Sequence, residues 1–135
     1  MPDDLELTPA EAVQLAQRLI DEGRPFHAHE VLEATWKSAP ADERALWKGL
    51  AQIAVGLTHA RRGNSKGAVT LLRRGAAAVA GYAADSATGP GGSDLGATGL
   101  DLGAILAATT GLADLIVARG LDAIPLGDLR VPLSA

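Results

Sequence analysis

Cysteine is absent from the 135 residues, which removes disulfides, thiolate metal sites and cysteine nucleophiles together. Aromatic side chains are nearly absent as well. One Phe, one Tyr and two Trp make up 3% of the chain, enough to furnish one bulky core and not two. β-Branched aliphatics are scarce, with Val and Ile totalling 12 against 27 Ala and 20 Leu, a balance that favours helix over sheet. There is no basic excess: 12 Lys plus Arg face 16 Asp plus Glu, giving a net charge of -4. Bulk charge therefore points to neither nucleic acid nor an anionic membrane as partner. No apolar run is read as reaching the roughly 18 to 20 residues of a membrane span. The acidic start Met1-Pro2-Asp3-Asp4 lacks the basic segment of a secretory signal. The expectation is one all-α domain over residues 1–135, a small cytoplasmic bundle of about five helices with an extended C-terminal tail.

What is present supports that reading. Thr8-Pro9-Ala10-Glu11 is a capping box with proline in the first helical position, and predicts a helix from Pro9 to Glu22, stopped by Gly23. Pro25 opens a second helix ending near Ser38, before Pro40. Asp42 is expected to cap a third, Glu43 to Arg62, with Leu46, Leu50, Ile53 and Leu57 on one stripe. Gly49 and Gly56 within it are read as points of close approach by another helix. After Gly63-Asn64, Ser65 is expected to cap a fourth helix from Lys66 to Ala84, antiparallel to the third because the connection is so short. Residues 85–99 read as a glycine-rich linker. A last helix is predicted over 100–118, and the tail, with Ile124, Leu126, Leu129 and Val131, as an extended strap on the bundle.

Chemistry has few places to live. His27, His29 and His59 are the three histidines, and the first two stand beside Glu30 and Glu33. On a helix, His29 and Glu33 share one face at i, i+4, while His27 and Glu30 share another at i, i+3. Gln52 and His59 form a polar strip along the third helix. If helices two and three pack together, His29, Glu33, Gln52 and His59 converge as a buried or cleft-lining cluster, with Glu30 at its edge. No closed metal site is expected, since di-iron bundles need further carboxylates and zinc would require His59 as a third ligand. Whether a cofactor is bound is left open by these residues. Phe26, Trp36 and Trp47 are expected to close the core at the corner between helices two and three. The basic run Arg61, Arg62, Lys66, Arg73 and Arg74 is read as a solvated face, or as an anion site near the start of helix four.

Three functional readings stay open. In the first, the His/Glu/Gln cluster is a satisfied network that fixes the register of two helices. In the second, Glu33 or Glu30 is a general base oriented by His29 and acting on a small ligand, or Glu33 and His29 serve a metal-dependent enzyme. In the third, the basic or Ala-rich faces bind another protein or a second copy of the chain.

Taken in order, Phe26-x-Ala28-His29-Glu30-Val31-Leu32-Glu33-x-x-Trp36, Gly49-Leu50-x-Gln52-x-Ala54, His59-x-x-Arg62-Gly63-Asn64 and Gly67-Ala68-x-x-Leu71-Leu72 resemble the domain-of-unknown-function family numbered three hundred and nine. The resemblance spans Leu15 to Tyr82. It implies a small all-α bundle found mainly in bacteria and archaea, with no established activity, substrate or cofactor. His29, Glu30, Glu33, Trp36, Gly49, Gln52, Gly63 and Asn64 are the matching motif positions.

Overall fold

The computed structural model describes residues 7–88 and 99–133. Five α-helices follow one another: α1 (Pro9–Asp21), α2 (Pro25–Ser38), α3 (Arg44–Arg61), α4 (Ser65–Thr88) and α5 (Leu102–Arg119). Each packs on the next in sequence, so that α3 lies between α2 and α4 and is buried on both sides. Its Leu46, Trp47, Leu50, Ile53 and Leu57 form the centre of the core, joined by Leu32 from α2, Leu72 and Val79 from α4, and Ile105 and Ile116 from α5. The all-α expectation is met. Among the described residues there is no β-strand beyond a single bridge at Leu100.

Local chemistry explains the boundaries. At the start of α1, the Thr8 hydroxyl accepts from the Glu11 N–H at 3.2 Å and the Glu11 carboxylate accepts from the Thr8 N–H at 2.9 Å. The Thr8 backbone N–H, and to a lesser degree the Thr8 hydroxyl, stabilise the ionised carboxylate and hold Glu11 below the ordinary glutamate range. Asp42 does not cap α3 as expected. Residues Ala41–Glu43 form a 3-10 turn, and the Glu43 carboxylate is used instead by the indole N–H of Trp47 at 3.2 Å, which satisfies the most deeply buried aromatic. Nor is Ser65 the cap of α4: Asn64 takes that place, its Oδ1 accepting from the Gly67 N–H at 3.0 Å.

Two expectations about the second half change. Helix α4 continues through Thr88 into the stretch read as linker, because nothing between Asp85 and Thr88 breaks a helix before Gly89-Pro90. The rest of that linker, 89–98, lies outside the described residues. Helix α5 starts at Leu102 with Asp101 as its cap, the carboxylate accepting from the Ala104 N–H. By length and composition it also qualifies as a membrane span, with a mean hydropathy of 1.5, which corrects the reading that no run was long enough. Its Ile105, Leu112, Ala113 and Ile116 are nevertheless core residues, and Asp114 pairs with Arg73 of α4 at 3.1 Å. It lays that one face on the bundle, with 28% of the segment buried and an apolar outer face left open.

The tail is a strap, with one change of register. Ile124, Leu129, Val131 and Leu133 are buried, whereas Leu126 is exposed because it sits in a second 3-10 turn, Leu126–Asp128. Gln17 of α1 clasps the strap through both halves of its amide, donating to the Val131 carbonyl and accepting from the Leu133 N–H. Arg130 pairs with Asp21 at 3.1 Å.

The expected role of the helical glycines holds. A Cβ on Gly75 would stand 2.6 Å from the Gly49 carbonyl oxygen and from Ile53 Cγ1, and one on Gly49 would stand 2.8 Å from Ala78 Cβ. Helices α3 and α4 therefore touch backbone to backbone along this seam.

Candidate functional site

The fold separates the three histidines. His59, at the end of α3, accepts from Asn64 Nδ2 at 3.0 Å through its Nδ1. The amide orientation is fixed by the bond from Gly67 to Asn64 Oδ1, so the His59 ring proton resides on Nε2. Gly63 turns the chain with φ +81°, and a Cβ on Gly67 would stand 2.6 Å from Asn64 Nδ2. His59, Gly63, Asn64 and Gly67 thus build the α3–α4 corner. The expectation that His59 joins His29 is corrected. Its i+7 spacing from Gln52 puts it on the same strip, but nearly two turns further along the helix, where the nearest polar group is the cap of α4.

His29, Glu33 and Gln52 do meet. With Trp36, Lys48, Ala51, Val55 and Leu71 they line a groove of about 150 Å³ among α2, α3 and α4. His29 Nε2 lies 3.4 Å from Glu33 Oε2, and Lys37 Nζ lies 3.6 Å from the other oxygen of the same carboxylate. The Lys48 ammonium stands 5.7 Å from the centre of the Trp36 ring, closing one wall. Ala51, Val55 and Leu71 give an apolar floor. His29 Nδ1 is buried and has no hydrogen-bond partner. A buried polar atom without a partner ordinarily costs about 1–3 kcal/mol.

Glu30 faces solvent on the other side of α2 and takes no part in the groove. His27 is exposed too. Phe26 corrects the packing-corner expectation. It is 46% exposed, its ring 5.6 Å from that of His29 and 6.1 Å from that of His27, because Pro25 and Ala28 supply the buried face of that turn. Trp47 is fully buried and Trp36 half-buried, so one of the three aromatics closes the core outright. Among the described residues, no three His, Asp or Glu side chains come together as cation ligands.

The basic run is divided by the fold. Arg73 pairs with α5, Lys66 and Arg74 face solvent, and Arg61 and Arg62 turn toward the start of α2 rather than α4. Sequence spacing gave no sign of this, since Arg24 and the two later arginines are brought together only when α2 crosses the end of α3. An unforeseen polar clasp is Gln17, whose partners on the strap lie more than a hundred residues away.

Residues 13–71 match the family model described as "Domain of unknown function (DUF309)". Every residue lining the groove falls inside that stretch, as does the His59–Asn64 corner. The chain is similar to "Uncharacterized protein YpuF" of Bacillus subtilis (strain 168), at 46% identity over 48 residues, covering 35% of this chain and 28% of that protein. The match thus spans less than a third of the relative's length. No solved structure matches.

Proposed function

From the premise that residues 13–71 belong to the DUF309 family, a domain of unknown function, we propose that they act as a small binding module whose working surface is the groove of His29, Glu33, Trp36, Lys48 and Gln52. The observation that carries this reading is the unpartnered, buried Nδ1 of His29 in a side chain that lines the groove. A satisfied structural histidine would resemble His59, with its ring nitrogen paired. At about 150 Å³ the groove is small beside the roughly 300–1,000 Å³ of ordinary ligand pockets. It suits one side chain of a partner, or a compact polar molecule, better than a large substrate. The partner class is neither nucleic acid nor membrane, and the setting is the cytoplasm.

Fluorine NMR on protein labelled with 5-fluorotryptophan tests it directly. Trp36 lines the groove and Trp47 is sealed in the core, so a fragment carrying an amide or imidazole should shift the Trp36 resonance and leave that of Trp47 unmoved. A library that moves neither, or both equally, defeats the reading. A second reading, self-association, is favoured by the apolar outer face of α5, where Val117 is 62% exposed and Leu115 is also open. Light scattering of the full chain decides it, and a monomer at all concentrations removes it.

A further inference from the structure

Away from the groove, the structure contains a second cavity of about 240 Å³, lined by Gly23, Arg24, Pro25, Phe26, Thr58, Arg61 and Arg62, with His27 at its edge. We infer that this cavity is a binding site for the phosphate group of a small phosphomonoester. Three arginines from two separate elements line one space, and no acidic residue lines it. Arg61 and Arg62 make no ion pair among the described residues. Arg24 has one distant partner, Glu22 at 4.0 Å, and both side chains are about half exposed, a contact too weak to hold the guanidinium against a bound anion.

Arg61 is already positioned. Its Nη1 donates to the Leu126 carbonyl at 3.3 Å, and its guanidinium lies over Gly23, 2.8 Å from where a Cβ would stand. A guanidinium fixed in this way loses little freedom when an oxyanion arrives. The cavity also borders the first turn of α2, which has no side-chain cap and no acidic residue, and the Phe26 and His27 backbone N–H groups have no acceptor there. These add oriented positive ends to a site that the arginines already define. Buried Thr58, its hydroxyl donating to the Ala54 carbonyl at 2.9 Å, forms the floor.

The charge and size together select the ligand class. Three arginines suit a dianionic phosphate, whose oxygens can accept from several forked donors at once, better than a single carboxylate. A cavity of about 240 Å³ has room for more than the anion alone, and the half-exposed ring of Phe26 offers an apolar surface to the group that bears it.

Calorimetric and ¹H–¹⁵N NMR titrations of the full chain with inorganic phosphate, ribose 5-phosphate and ribose, at constant ionic strength, test the inference. Saturable binding of both phosphate-bearing probes is expected, with amide shifts at Phe26 and His27 and no response to ribose. Arg24→Gln combined with Arg62→Gln should weaken binding at least about tenfold, and both residues are exposed, so the fold should survive. His29→Ala should leave phosphate binding unchanged, which separates this site from the groove. The inference is overturned if neither phosphate probe saturates, if the double variant binds as well as the parent, or if the shifts map elsewhere. Binding of inorganic phosphate with exclusion of ribose 5-phosphate overturns the ester assignment.

Discussion

His59 and His29 lie on adjacent helices, both inside the stretch that matches the family model, yet the structure uses them in opposite ways. At the α3–α4 corner, His59 Nδ1, Asn64 and the Gly67 N–H satisfy one another, and Gly67 leaves no space for a Cβ beside Asn64 and His59. In the α2–α3 groove, His29 shares a loose, half-exposed carboxylate with Lys37 and keeps a buried nitrogen unpaired. The first arrangement is what a stability role looks like. The second leaves a buried nitrogen unsatisfied at a cost to folding, and it is the feature on which the proposed binding role rests.

If that contrast is right, perturbing the closed side should cost stability and perturbing the open side should not. Gly75→Ala drives a Cβ onto the Gly49 carbonyl and Ile53 backbone, and should destabilise by about 3 kcal/mol in urea unfolding, the upper end for overpacking. Asn64→Ala removes both the α4 cap and the His59 bond, with an expected loss of about 1–2 kcal/mol. Thr109→Val should go the other way. The Thr109 hydroxyl is buried in α5 without a partner, and an isosteric apolar group there should raise stability by up to about 1 kcal/mol. Glu33→Gln should change stability by less than about 0.5 kcal/mol, because its ion pairs are solvent-screened. A loss above 1 kcal/mol would place Glu33 with the structural residues and break the distinction.

The smallest effect concerns acid. Glu11 has a lowered folded-state pKa, so the unfolded chain binds its proton first as pH falls. Its contribution is fully present above the ordinary glutamate range and is lost as pH drops through the lower folded value. Glu11→Gln, which removes the titrating carboxylate, should flatten that acid limb in thermal melts between about pH 5 and 2.

Much of this was legible beforehand for local reasons. The Thr8–Glu11 box, Pro25 at the head of α2, and Gly63 after α3 act within a few residues of themselves, and the structure places all three as read. Gly49 was also readable, since glycine inside a long helix has little other use. Misreadings arose where two local signals competed. Asn64 and Ser65 are both good caps, and the choice went to Asn64, whose amide can bond His59 and Gly67 together. Phe26 looked like core by hydrophobicity, but its ring stays half exposed beside a cavity at the end of α3.

The sequence by itself determined the helices, their stops, the scarcity of bulky core residues and the resemblance carried by the motifs, because propensity, capping and periodicity operate over a turn or two of chain. Only the tertiary structure decided which histidine is a strut and which lines a groove, why Gln17 holds the strap, and how Arg24 meets Arg61 and Arg62. Spacing within a helix tells which side chains share a face. What that face meets depends on how the helices cross, and that is set by the glycine-lined contact of α3 with α4 and by the packing of α2 and α5 around them.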